Sequence, residues 1–228
     1  MRLKPGGFVA FQFKRAHCVA AGTFNMYIIQ PAWLAEVGII SKEIPVEIYS
    51  KLDEPGFRFA SPKMTSRWIV TPSRIQVESD RPDEDCGGAI ARVLEQLPWT
   101  PLVALGNNTI YRASLDELAH LPLFGSLKQD PPTGYEFAQK TVHYGLKRGE
   151  TVFNLMLSLT VDELEVSVNA HTELQGHKSD NAQLVARRFL QDRETAEILI
   201  DELFNASVNY AKPDHPSQKK TDRGNGDR

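Results

Sequence analysis

Apolar and polar positions along the chain alternate in several separate stretches, and a two-residue period is the mark of a strand with one wet face. Val9, Phe11 and Phe13 alternate with Ala10, Gln12 and Lys14, which predicts a strand from Gly7 to Arg15. A second apolar run extends from Cys18 to Gln30, with Gly22 near its middle. Pro31 suits the first turn of a short helix through Trp33, Leu34 and Val37, ended by Gly38. Val46–Tyr49 reads as a further strand.

Two longer units stand out. In the first, Arg67–Val70 is a strand, Thr71–Pro72–Ser73 a turn, and Ile75 and Val77 alternate with Arg74, Gln76 and Glu78. A polar stretch, Ser79 to Asp85, leads into a helix with Ile90, Val93, Leu94 and Leu97 on one face. Asp83, Glu84 and Asp85 lie at its start, where the helix dipole favours negative charge, and Pro98 stops it. Leu102 to Arg112 returns as a strand. Ser114 and Glu117 have the spacing of a capping box for a short helix ended by Pro122. Lys128 to Gly134, with Pro131–Pro132, reads as a loop or linker.

In the second unit, Phe153, Leu155, Leu157 and Leu159 form one strand face. Thr160 to Glu163 turns the chain, and Leu164, Val166 and Val168 form the next. A polar stretch precedes a helix from near Asn181, with Leu184, Val185 and Phe189 on its apolar side. A last helical run, Glu194 to Tyr210, carries Leu199, Ile200, Leu203 and Phe204.

The expected fold is therefore α+β: a largely antiparallel sheet built from two hairpin–helix (ββα) units, with C-terminal helices packed on it. The order strand–turn–strand–polar loop–helix occurs at 67–97 and again at 153–190. A helix covering the dry face of a hairpin is a common way to bury a sheet and is the preferred explanation; a diverged internal duplication is the sharper alternative. The halves expected are 1–125 and 135–211, packed together as one domain. The tail 212–228 has almost no apolar residues to offset its ordering entropy and is expected to be disordered.

Composition changes this picture little. The 228 residues are 41% hydrophobic and 24% charged, with eleven Phe and three Trp, enough for a substantial core. The formal net charge of −3, with no dense basic stripe, argues against nucleic acid as a partner. Two cysteines, Cys18 and Cys86, make no disulfide framework. The opening Met1–Gly7 lacks a secretion signal's apolar core, and no apolar run approaches the roughly 20 residues that span a bilayer. A cytoplasmic protein without membrane contact is expected.

Candidate chemistry is sparse. Gly6–Gly7 precedes a strand, and Gly87–Gly88 lacks the basic partner of a phosphate loop. Cys86 stands near a helix start, which lowers a thiol pKa, but three carboxylates beside it oppose that shift. His17 and Cys18, adjacent in a strand, point to opposite faces and form no base–nucleophile pair. His171, His177 and Asp180 are suitable ligand types in no standard zinc spacing, so neither a metal nor a cofactor is assigned. Gly106–Asn107–Asn108 closes or interrupts a strand, either as a turn or bulge or as a polar edge whose amides read a ligand. Arg67, Arg74 and Arg112 lie on neighbouring strands, either as a solvated face or as a basic patch. The candidate binding residues are thus Arg67, Arg74, Asn107, Asn108 and Arg112, and no catalytic residue is identified. The reading that follows is a non-enzymatic module that binds a protein partner or itself. The alternative is an enzyme or small-ligand binder whose pocket forms only in the fold, with Tyr135, His143 or Tyr144 lining it.

Overall fold

The computed structural model describes residues 10–42, 47–49, 56–60, 64–118, 133–134, 138–174, 179–204 and 207–210. Among these residues ten strands form one sheet: β1 (Ala10–Gly22), β2 (Glu47–Tyr49), β3 (Phe57–Ala60), β4 (Arg67–Thr71), β5 (Arg74–Ser79), β6 (Leu102–Ser114), β7 (Lys140–Arg148), β8 (Thr151–Leu159), β9 (Glu163–Glu173) and β10 (Ser207–Asn209). The helices among the described residues are α1 (Pro31–Glu36), α2 (Cys86–Gln96), α3 (Leu115–Leu118), α4 (Ser179–Arg187) and α5 (Phe189–Phe204). The spatial order is β2-β3-β4-β5-β1-β6-β9-β8-β7, antiparallel throughout, with β10 parallel to the start of β1. An α+β architecture on an antiparallel sheet is what the alternation predicted.

The two long strands β1 and β6 form the centre. The chain returns to β1 through β2 to β5, and to β6 through β7 to β9. A helix follows each outer hairpin: α2 after β4–β5, α4 after β8–β9. In the central pair Ala16 stands opposite Thr109.

β1 corrects one expectation. It is a single strand, continuous from Ala10 to Gly22, where the sequence suggested two pieces. The reason is a bulge. Phe13 pairs with Tyr111 and Arg15 with Ile110, so Lys14 is an extra residue. The inward set therefore shifts from Phe11 and Phe13 to Ala16, Cys18 and Ala20, and all five are buried. The changed period looks like a break when read along the sequence alone.

One face of the sheet carries the core. Trp68, Val70, Ile75, Val77, Leu105, Tyr111, Leu155, Leu157, Val166 and Val168 all point to it and are buried. α2 packs on β1 and β5 over this face, and α4 and α5 pack on β6. α2 starts where expected: Asp85 is its N-cap, the side chain accepting from Gly88 N at 2.8 Å. Ile90, Val93 and Leu94 are fully buried, each contributing about 1.5–3 kcal/mol. Gly87 lets α2 meet the α4–α5 junction at backbone distance. A Cβ there would lie 2.1 Å from Ala186 O and 2.4 Å from Phe189 Cβ.

The last helix ends at Phe204, before the Tyr210 that its apolar pattern suggested. Ser207–Asn209 instead pairs with Ala10–Gln12, because β5 covers only Ala16–Ala21 and leaves that edge of β1 open. Tyr210 then stacks toward Phe13, ring centroids 6.0 Å apart, and its hydroxyl donates to Glu197. Strand pairing and this aromatic contact outweigh helical propensity there. At the end of β6, the Ser114 hydroxyl accepts from Asp116 N at 3.3 Å. The Glu117 side chain, the Pro131–Pro132 linker and the tail 212–228 lie outside the described residues. No helix among the described residues is long and apolar enough to cross a membrane.

Candidate functional site

The other face of the sheet stays partly accessible across its width, and most of the candidate residues belong to it. Alternate residues of β4, β5, β1, β6, β9 and β8 stand on it; most are half-buried or exposed, while Gly106 and Asn108 at its centre are buried. Strand register aligns one row across all six strands: Arg67, Glu78, His17, Asn108, Asn169 and Asn154. The row spans about 24 Å, five gaps of roughly 4.8 Å. The next row reads Ile69, Gln76, Val19, Gly106, His171 and Val152.

At the middle of the first row, Asn169 Nδ2 donates to Asn108 Oδ1 at 2.5 Å, and Asn108 Nδ2 donates to Gly106 O at 3.1 Å. Gly106 makes room for these amides: a Cβ there would stand 3.1 Å from Asn169 Nδ2. His17 completes the group. Burial holds its imidazole down at about 4; the carboxylate of Glu78 pulls the other way, and Arg15 and Arg74 add a little to the lowering. The ring is therefore neutral at neutral pH. His17 Nδ1 and Asn169 Oδ1 are sealed from solvent and bond to nothing among the described residues. Such atoms cost about 1–3 kcal/mol each.

The three arginines do not come together. Arg67 stands in the row of His17, with Nε 3.0 Å from Glu78 Oε1 and Nη2 on Asp80. Arg74 lies opposite Ala21 at the hairpin turn, four positions along β1 from that row, about 13 Å away. Arg112 lies opposite Gln12, beyond the bulge in the other direction. Its Nη2 is 2.8 Å from Glu165 Oε2 and its Nη1 3.3 Å from Glu163 Oε1. Arg67 and Arg112 are thus each held by a pair of carboxylates at separate margins of the face.

Asn107 and Asn108 also part company. Asn107 points into the helix layer, where Nδ2 donates to Val185 O at 3.2 Å and to Asp192 Oδ2 at 2.7 Å. It ties the last turn of α4 and the first turn of α5 to the central strand. Burial raises the Asp192 carboxyl, while the Asn107 amide and Arg188 act against that. The sequence marked this pair as a turn or bulge, or as a polar edge; both residues lie mid-strand in a regular ladder.

The remaining candidates are placed as follows. Cys18 and Cys86 are fully buried, and burial pushes both thiols well up, so neither is a poised nucleophile. His17 and Cys18 do face opposite sides. His171 stands on the open face between Gly106 and Val152, and His177 lies outside the described residues. No three His, Cys, Asp or Glu side chains among the described residues are placed to hold a metal. His143 and Tyr144 alternate on β7 and so point to opposite faces; Tyr135 lies outside the described residues. The His17–Asn108–Asn169 group was not assembled by sequence reading. The register that unites residues 61 and 91 positions apart has no local signal.

No family model matches the chain, and no curated protein matches it in sequence.

Proposed function

We propose that this protein is a non-enzymatic binding module that takes a protein partner on the open face of its sheet. The observation that carries the reading is the make-up of that face. Ile69, Val19, Ile110, Val152 and Met156 are partly exposed on it, around the buried Asn108 amide and beside the amides of Asn169 and Asn154. Interfaces combine apolar area with polar groups already fixed in place, and the Asn108–Asn169 bond and the carboxylate-held Arg67 and Arg112 meet that description. Apolar side chains alternating with polar ones on a rigid sheet lose little freedom on docking. Of the candidate binding residues, Arg67, Arg74, Asn108 and Arg112 serve this face, and Asn107 supports it from behind. The hairpin–helix units at 67–97 and 153–190 are read as a common way to bury a sheet, with a diverged duplication as the alternative, and the setting as the cytoplasm.

Light scattering during size exclusion, on the purified chain and on complexes captured through it, tests the reading. A stoichiometric complex is expected, with a second copy or another protein. Ile69→Asp and Met156→Asp, tested separately, are expected to abolish it at unchanged Tm. A chain that stays monomeric, captures nothing, and shows a saturable Tm shift with a small metabolite overturns it.

One observation favours the second reading, a small-ligand site. A cleft of about 270 Å³ lies between α4 and the β8–β9 end of the sheet, lined by Glu150, Thr172, Glu173, Leu184, Val185 and Arg188. Arg188 Nη2 donates there to Thr151 Oγ1 at 3.2 Å. The volume lies just below the usual range of roughly 300–1,000 Å³.

A further inference from the structure

The sheet has a second surface of different chemistry at its β7 edge. Among the described residues β7 pairs with β8 alone, along nine residues, and is the last strand of the sheet on that side, a position from which a ladder can be extended. The side chains of this edge are ordered by the strand period. Lys140, Val142, Tyr144, Leu146 and Arg148 share one face, and Thr141, His143, Gly145 and Lys147 the other. On the first face an apolar row is thus bracketed by two cations. Val142 and Tyr144 are half-buried against the core, and Leu146 is 39% exposed. Between Lys140 and Leu159 the chain has three cations, Lys140, Lys147 and Arg148, and one anion, Glu150, within a protein of net charge −3. β8 contributes no charge at all.

We infer that the β7 edge accepts an extended peptide with acidic residues eight positions apart and apolar residues at the alternate positions between them. Strand addition supplies main-chain hydrogen bonds, and side-chain alternation supplies selectivity. Antiparallel addition places the two acids beside Lys140 and Arg148 and three apolar side chains beside Val142, Tyr144 and Leu146. A second copy of the chain fits badly. Antiparallel pairing centred on Tyr144 sets Lys140 against Arg148, and parallel in-register pairing sets each cation against itself. This edge is distinct from the open face, and its occupant is independent of what that face takes.

The test is fluorescence anisotropy with labelled synthetic peptides on the full chain. The probe is Glu-Ser-Val-Ser-Val-Ser-Val-Ser-Glu. The controls are the same peptide ending in Lys at both positions and an isomer with both Glu at the centre. The probe is expected to bind about tenfold more tightly than either control. Lys140→Glu with Arg148→Glu is expected to reverse the preference toward the Lys-ended peptide. If that double variant does not fold, Arg148→Glu alone, at the strand's exposed end, is expected to weaken the probe about threefold. Hydrogen exchange on the wild type is expected to show the probe protecting amides within 140–148. Equal binding of the isomer overturns the eight-residue charge spacing, and protection elsewhere overturns strand addition. No saturable binding to the wild type overturns the site altogether. Ile69→Asp is expected to leave the probe's Kd unchanged, so failure of the open-face reading and failure at this edge are separable.

Discussion

Asn107 and Asn108 are neighbours in β6 and serve opposite sides of the sheet, Asn107 bonding Asp192 beneath α5 and Asn108 bonding Asn169 on the open face. The alternation of a strand turns one dipeptide into two separate polar networks. Each makes its own prediction.

Beneath α5, Asp192 is 8% exposed and receives the Asn107 amide. Removing the acceptor leaves a buried donor unpaired. Asp192→Ala is expected to cost about 1–3 kcal/mol by urea denaturation. Asp192→Asn keeps an acceptor oxygen and removes a charge that burial disfavours. It is expected to be neutral or stabilising at neutral pH.

On the open face, Asn108, Asn169 and Gly106 form one unit. A double-mutant cycle of Asn108→Ala and Asn169→Ala is expected to show a coupling of about 0.5–1.5 kcal/mol. Gly106→Ala must displace the Asn169 amide, and is expected to destabilise wild type more than it destabilises Asn169→Ala. Additive effects in the cycle would show that the two amides do not act together.

His17 sets a pH dependence. Its folded value of about 4 lies below its ordinary 6.5. The unfolded chain therefore binds a proton in that window that the folded chain refuses. Stability contributed by neutral His17 is complete above pH 6.5 and is lost as pH falls toward 4. The loss between pH 7 and pH 5 is expected to be about 2 kcal/mol. Asp192, raised rather than lowered, acts in the opposite sense and gains stability as it protonates. The comparison that isolates His17 is wild type against His17→Gln, whose stability profile is expected to be flatter over the same window.

Gly87 tests how closely the two halves are joined. Its position against Ala186 O and Phe189 leaves no room for a side chain. Gly87→Val is expected to force α2 off the α4–α5 junction at a cost of about 3 kcal/mol, read as a lowered Tm. Gly134→Ala, at a positive φ of 88° with no neighbour near its Cβ, is a contrasting case in which only backbone strain acts.

What the sequence determined by itself was the local order. Period-two runs placed β4, β5, β8 and β9, Asp85 and Pro98 bounded α2, and the adjacency of His17 and Cys18 put them on opposite faces. These are decisions made within a few residues by backbone sterics and capping. The bulge at Lys14 hid the unity of β1 because an extra residue inverts the period, whereas β7 carries a clear period at Val142, Tyr144 and Leu146 that was not among the predicted strands.

Only the tertiary structure decided which strands are neighbours, and the site follows from that. Three arginines expected on neighbouring strands looked like a patch, but β1 separates β6 from β5, and register sets the three four or more positions apart and gives Arg67 and Arg112 carboxylates of their own. The same register brings His17, Asn108 and Asn169, far apart in the chain, into one row over Gly106. Strand pairing joins backbone groups that every residue possesses, so the sequence carries little record of it. The choice of neighbours is made by the burial of whole faces at once.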